Sequence, residues 1–388
     1  MTADVEAPAY RVGDRVRRLR LSAGFSQSEL ADRAALTQAT VSSAENGRLR
    51  LDSVELGRLA LHVRCTTSYL TRRDDDPLVS TRPWLRAYAD APKRAVDQQR
   101  AVCELLVESL DRLALRTLPD LLPVEAIDPN DDDGIEMLAL DARRLADIAD
   151  DAVVGNATRA AERLGCLVVP MHAELGRHVG LSLRINQIPV VCVSRPSHDP
   201  HRHVPGDRQR LTVLHELGHL ALHTSCPPPD TSAEAAALER QAHRFASAFL
   251  IPAEALSDEV DRSGGRVTLR TLGDIKKRWG VSIKALVVRC DQLGLLKSKD
   301  HARSLYKQIS ARGWNKNEPY PTGNEEAIWL RTALTKWARR AEPSSAAQLA
   351  ADATGLDSSH FNRWMDWSPT SPLQSARVTT LRIVANAR

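Results

Sequence analysis

Leu211-Thr212-Val213-Leu214-His215-Glu216-Leu217-Gly218-His219-Leu220-Ala221-Leu222-His223 is the stretch on which the reading of the chain turns. Its apolar lead-in and apolar continuation predict one helix. Four residues make about one helical turn, so His215 and His219 share a face and can offer both imidazoles to one ion. Glu216 falls beside them, where a carboxylate can take a proton from an activated water. Two histidines leave a catalytic zinc site one protein ligand short of the usual three. Ser225 stands where a third histidine would complete a common spacing. His223 lies two turns, about 12 Å, from His215, too far along a straight helix to join the same ion. Glu239 is the better third ligand, in Glu239-Arg240-Gln241-Ala242-His243-Arg244-Phe245-Ala246, where small and aromatic residues recur at helical spacing. His243, one turn later, competes for that place or supports it, and His223 is a second supporting candidate.

HELGHLALH followed by ERQAHRFASAFLIP (residues 239–252) resembles the signature of the ImmA/IrrE family of zinc metallopeptidase-like proteins. That family pairs HExxH with a Glu on an E-x-x-A-x-x-F-A helix ending in a Leu-x-x-Pro-like stop, here Leu250-Ile251-Pro252. Arg208-Gln209-Arg210 also resembles the family, whereas His243 departs from its usual Asn or Asp. The resemblance covers residues 135–325. It implies a zincin-like fold, Zn2+ on His215, His219 and Glu239, Glu216 as general base, and a protein substrate such as a phage or mobile-element repressor.

The chain has 388 residues, enough for two or three domains, and its 43% hydrophobic content suffices for ordinary cores. No apolar run is long enough to span a membrane and no signal segment opens the sequence, so a cytoplasmic protein with no membrane partner is expected. Cys65, Cys103, Cys166, Cys192, Cys226 and Cys290 are scattered without a CxxC pair and read as reduced, mostly buried thiols. The formal charge of +4 is mild, so nucleic-acid binding must come from local distribution.

Near the start, Val12, Val16 and Leu19 keep helical spacing among five arginines in residues 11–21. Ser26 and Glu29 form a capping-box pattern for a second helix, and Thr37 caps a third that stops at Gly47. Two short helices split by a tight turn describe a helix-turn-helix. Residues 11–70 resemble the Xre (phage repressor and Cro) DNA-binding domain, except that Ala35 fills the turn position usually held by Gly. The resemblance places Gln38, Ala39, Thr40 and Ser43 at base edges in the major groove and Gln27 at a phosphate. Gln38 is the first choice for specificity, since a Gln can read adenine through two hydrogen bonds. Lys and Arg outnumber Asp and Glu by 12 to 8 over residues 1–73, which favours double-stranded DNA over a protein-binding module.

Residues 74–83 are acidic and Pro-interrupted, as a linker is. The spacing of Val102, Leu105, Leu106, Leu110 and Leu113 predicts one long helix over 84–116, either a homodimer contact or ordinary packing. Helices are expected over 135–164, and residues 165–170 and 188–193 read as short buried strands. His198, His201 and His203 fall in a loop, and residues 279–286 and 313–319 read as packing. In the tail, Ala351, Asp352 and Leu356 repeat Ala31, Asp32 and Leu36, with Gly355 in the place of Ala35. That pattern fits a second helix-turn-helix, or a helical cap with Trp329, Trp337, Trp364 and Trp367 as core; residues 378–385 could form a terminal strand.

The sequence therefore predicts a mainly α chain with a small β-sheet, of α+β class. A helix-turn-helix domain covers 1–73, a linker and helical spacer 74–134, a zincin-like metallopeptidase domain 135–325, and a helical region 326–388. The expected function is a DNA-binding transcriptional regulator whose zinc-dependent endopeptidase cleaves a regulatory protein, a repressor or itself. The alternatives are a non-catalytic sensor or partner-binding module, and a toxin–antitoxin or phage-defence component.

Overall fold

The structure is a computed structural model that describes residues 9–73, 78–81, 83, 91–115, 118–128, 130–199, 201–227, 229–339 and 342–370. The terminal strand expected over 378–385 lies outside the described residues, as does the start of the helix expected from 84.

Five helices form the N-terminal bundle: α1 (Ala9–Ser22), α2 (Gln27–Ala34), α3 (Gln38–Glu45), α4 (Ser53–Val63) and α5 (Thr67–Thr71). Local signals set their ends. Ser26 and Glu29 close a full capping box on α2, Thr37 accepts from the Thr40 amide at α3, and Asp52 and Glu55 cap α4. Ala35 takes the left-handed turn between α2 and α3 with φ 51°, a conformation that costs a non-Gly residue but lets α3 cross α2. Val16, Leu19, Leu30, Val41 and Leu59 fill the core between them. Arg20 on α1 holds the buried Glu45 carboxylate of α3 through Nε at 2.6 Å and Nη2 at 2.9 Å.

The helix expected over 84–116 is α6 (Lys93–Arg112), and its apolar stripe packs within this molecule. It lies against α1, where Arg18 pairs with Glu108 at 2.7 Å and Tyr69 donates to the same carboxylate at 3.0 Å. Its other face meets the sheet, where Cys103 and Cys192 sit 3.3 Å apart as free thiols.

After α7 (Asp132–Leu145) and α8 (Ala157–Arg163) come β1 (Leu167–Met171), β2 (Gly180–Ile185) and β3 (Ile188–Ser194). The sheet order is β1-β3-β2, with β1 parallel and β2 antiparallel to β3. The strands are buried on both faces and sort their side chains by the two-residue period. Val168, Val191 and Val193 join one core, while Leu167, Val169, Leu181, Leu183, Val190 and Cys192 join the core shared with α6 and the N-terminal bundle. Helices α9 (Gly206–Leu222) and α10 (Ser232–Leu250) cover the first face, and α11 (Ala253–Arg262), α12 (Leu269–Trp279), α13 (Ile283–Gln292) and α14 (Lys299–Ala311) complete that side. Trp279 is buried there with its indole donating to Glu259, so residues 279–286 serve packing.

The tail folds as α15 (Trp329–Trp337), α16 (Pro343–Thr354) and α17 (Ser358–Trp364). Gly355 makes the left-handed turn into α17 with φ 82°, and Asp357 caps that helix. Trp364 and Trp367 are buried and Trp329 and Trp337 are partly so. The α16–α17 turn docks on the α4–α5 turn through a reciprocal pair: Thr66 N donates to Gly355 O at 2.8 Å and Asp357 N to Arg64 O at 3.0 Å. Phe361 and Trp364 of α17 are buried.

Candidate metal centre

α9 and α10 cross where Gly218 leaves room: a Cβ there would stand 3.0 Å from the Ala242 carbonyl oxygen. That close approach brings Glu239 of α10 over the two histidines of α9. His215 Nε2 lies 3.3 Å from Glu239 Oε2, His219 Nε2 lies 3.6 Å from Glu239 Oε1, and the two Nε2 atoms are 3.2 Å apart. Among the described residues these three form the one group whose ligand atoms all fall within 4.8 Å of one another. His243 stays beside it, its ring centroid 5.4 Å from that of His215. The loop histidines His198, His201 and His203 join no such group.

Two imidazole nitrogens and a carboxylate converge on one point, and this is the donor set of a catalytic zinc site. Burial pushes the Glu239 carboxyl up, but the neighbouring His215 and His219 outweigh it and hold the group well below the usual carboxylate range. Burial lowers His219, helped by the charge of His215, and so favours the neutral ring that binds metals. The residues present therefore fit a zinc ion.

Behind the ligands runs a relay that fixes the tautomer of His219. Gln241 Nε2 donates to Ile127 O at 3.2 Å, which turns Gln241 Oε1 toward His223 Nε2 at 3.1 Å. His223 Nε2 then carries the hydrogen, its Nδ1 is bare, and it accepts from His219 Nδ1 at 2.9 Å. His219 Nε2 is left with its lone pair aimed at the cluster. Burial, then the neighbouring His219, pushes His223 down to about 3, so it stays neutral in this role.

Glu216, beside the ligand His215 in the sequence, lies against β2. Ser182 Oγ donates to its Oε2 at 2.6 Å, and Gly180 makes the space, since a Cβ there would fall 2.7 Å from Oε1. Burial pushes the Glu216 carboxyl up to about 7, against the opposing influence of His215 and Ser182. The sequence did not single out β2, Ser182 or Gln241. The alternation Leu181-Ser182-Leu183-Arg184-Ile185 was the available signal. It was hidden because the β2–β3 turn is Asn186-Gln187, both at positive φ (47° and 68°), where a Gln is an unusual choice.

In the N-terminal bundle, Gln38 and Ala39 are exposed on α3, and Thr40 and Ser43 are partly so. Gln27 begins α2, donates to Glu45 at 2.8 Å and faces Gln38 at 3.4 Å, so those two amides form one polar edge. Among the described residues no helix is long and apolar enough to cross a membrane.

Comparison with curated proteins and with solved structures gave no match. Family comparison matched residues 161–291 to the IrrE N-terminal-like domain of peptidase family M78 and residues 11–72 to a helix-turn-helix domain. The chain thus joins a DNA-binding helix-turn-helix domain to a metallopeptidase-like domain of the IrrE N-terminal-like family.

Proposed function

We propose that this chain is a transcriptional regulator that hydrolyses a peptide bond in a regulatory protein, using zinc held by His215, His219 and Glu239. The convergence of those three ligand atoms, with Glu216 alongside, carries the proposal. Zinc, when bound, supplies the Lewis acidity that polarises a peptide carbonyl and acidifies water. Ser182 fixes Glu216 Oε2, leaving Oε1 to take the proton of the attacking water and return it to the leaving amine. The relay from Ile127 through Gln241 and His223 holds His219 in the tautomer that can ligate. Gln38, Ala39, Thr40 and Ser43 face duplex DNA, with Gln27 at the backbone. A repressor, or the chain itself, is the substrate class that suits a peptidase built into a DNA-binding protein.

Metal analysis of the purified chain tests the site. About one zinc per chain is expected, and His215→Ala and Glu239→Ala should each strip it while His243→Ala keeps it. Full zinc in Glu239→Ala together with loss in His243→Ala would overturn the ligand set.

A further inference from the structure

The peptidase sheet ends in β2, and the edge of β2 is already taken by the chain's own residues 78–81. Ser80 bridges Ile185 in antiparallel fashion. Asn186 N donates to Val79 O at 2.9 Å and Thr81 N donates to Arg184 O at 2.9 Å. Two side chains complete the rungs, with Val79 N donating to Asn186 Oδ1 and Arg184 N to Thr81 Oγ1, each at 2.9 Å. Residues read in the sequence as linker thus add one antiparallel bridge to the sheet edge.

The place matters because β2 is also the strand against Glu216. Backbone groups along a strand alternate between its two neighbours. Arg184 and Asn186 turn theirs outward to the added strand, so Ser182 and Gly180 turn theirs outward as well. Both residues border Glu216, through the Ser182 hydroxyl and the missing Cβ of Gly180. A peptide with its scissile bond beside Glu216 can gain backbone hydrogen bonds from this edge by adding as an antiparallel strand. Residues 79–81 hold the outer part of that edge, at Arg184 and Asn186, so a strand laid along Gly180, Ser182 and Arg184 meets Thr81 at Arg184 O.

We propose that residues 78–81 are an internal competitor for the peptide-binding edge of β2, which an incoming substrate strand must displace. The proposal rests on the peptidase reading for the meaning of the edge, but strand competition itself is measurable without hydrolysis. In sequence the segment lies between α5 and α6.

The test uses the full-length chain and a fluorescein-labelled peptide of residues 78–83, Leu78-Val79-Ser80-Thr81-Arg82-Pro83, with binding read by anisotropy. Thr81→Pro removes the N–H to Arg184 O and the acceptor for Arg184 N, at an exposed position outside both cores. It should bind the peptide about tenfold more tightly than wild type. The pair Ser80→Cys with Ile185→Cys joins a non-hydrogen-bonded antiparallel pair, the closer kind of pair, which suits a disulfide. Oxidised, it should lose peptide binding; reduced, it should regain the wild-type level. Equal or weaker binding by Thr81→Pro, or equal binding by the oxidised and reduced pair, overturns the competitor. Protein N-termini mapped in cells separate the two claims. The binding pattern with the same N-termini in wild type and Glu216→Gln counts against the peptidase, whereas a failed binding pattern beside N-termini that require Glu216 counts against the competitor alone.

Discussion

Ser182 on β2 holds Glu216 on α9 through a 2.6 Å hydrogen bond between buried groups. This ties the proposed general base to the strand along which a substrate would lie. One carboxylate oxygen is fixed and the other is left for proton transfer, so the direction in which Glu216 works is set by a residue that is neither a ligand nor an acid.

Ser182→Ala should therefore lower hydrolysis by about 10-fold to 100-fold, because a misplaced base loses about that much. Zinc content should stay at the wild-type level, since the ligands are untouched. Kinetics of cleavage of the protein target, or of the chain itself, beside metal analysis make the check, and unchanged kinetics would remove Ser182 from the mechanism.

The relay behind His219 makes a different forecast. Gln241→Ala frees His223 to flip its tautomer and so loosens the control of His219 Nε2. Outer partners of this kind are typically worth about 10-fold to 100-fold in metal affinity. Competition with a zinc-chelating dye should show that loss, with Glu216→Gln as the control that keeps wild-type affinity. Wild-type affinity in Gln241→Ala would make the relay ordinary core packing.

The convergence of His215, His219 and Glu239 was legible in the sequence and the strand beside it was not, for a physical reason. His215, His219 and Glu239 lie on two helices whose 3.6-residue period is written locally, and Gly218 marks the close crossing that joins them. Ser182 became visible only when the chain brought β2 across α9, a tertiary contact that no spacing records. The same holds for residues 78–81: their acidic, Pro-rich flanks read as linker, while their hydrogen bonds depend on a sheet edge more than a hundred residues away. In the N-terminal bundle the caps at Ser26, Thr37 and Asp52 are local, and the helices begin where those residues stand. The apolar stripe of α6 was visible, but its partners, α1 on one face and the sheet on the other, were not.

For the DNA-binding domain, Gln38→Ala should cost about 1–3 kcal/mol on the preferred site and relax selectivity at one base step. Wild-type binding should weaken steeply with salt, as phosphate contacts require. Titrations of specific and random duplexes at several salt concentrations make the check. Equal losses on both duplexes would reassign Gln38 to the DNA backbone.

The central claim is that this chain cuts protein, with Glu216 as the base. Glu216→Gln keeps the size and helix propensity of the side chain and leaves His215, His219 and Glu239 in place. The direct measurement expresses wild type and Glu216→Gln at equal levels, confirms equal zinc content, and maps new protein N-termini in both cell populations. The account predicts a small, discrete set of N-termini, in a repressor or in this chain, present with wild type and absent with Glu216→Gln. Identical N-termini in the two populations, under conditions where the regulatory response is normal, would contradict it.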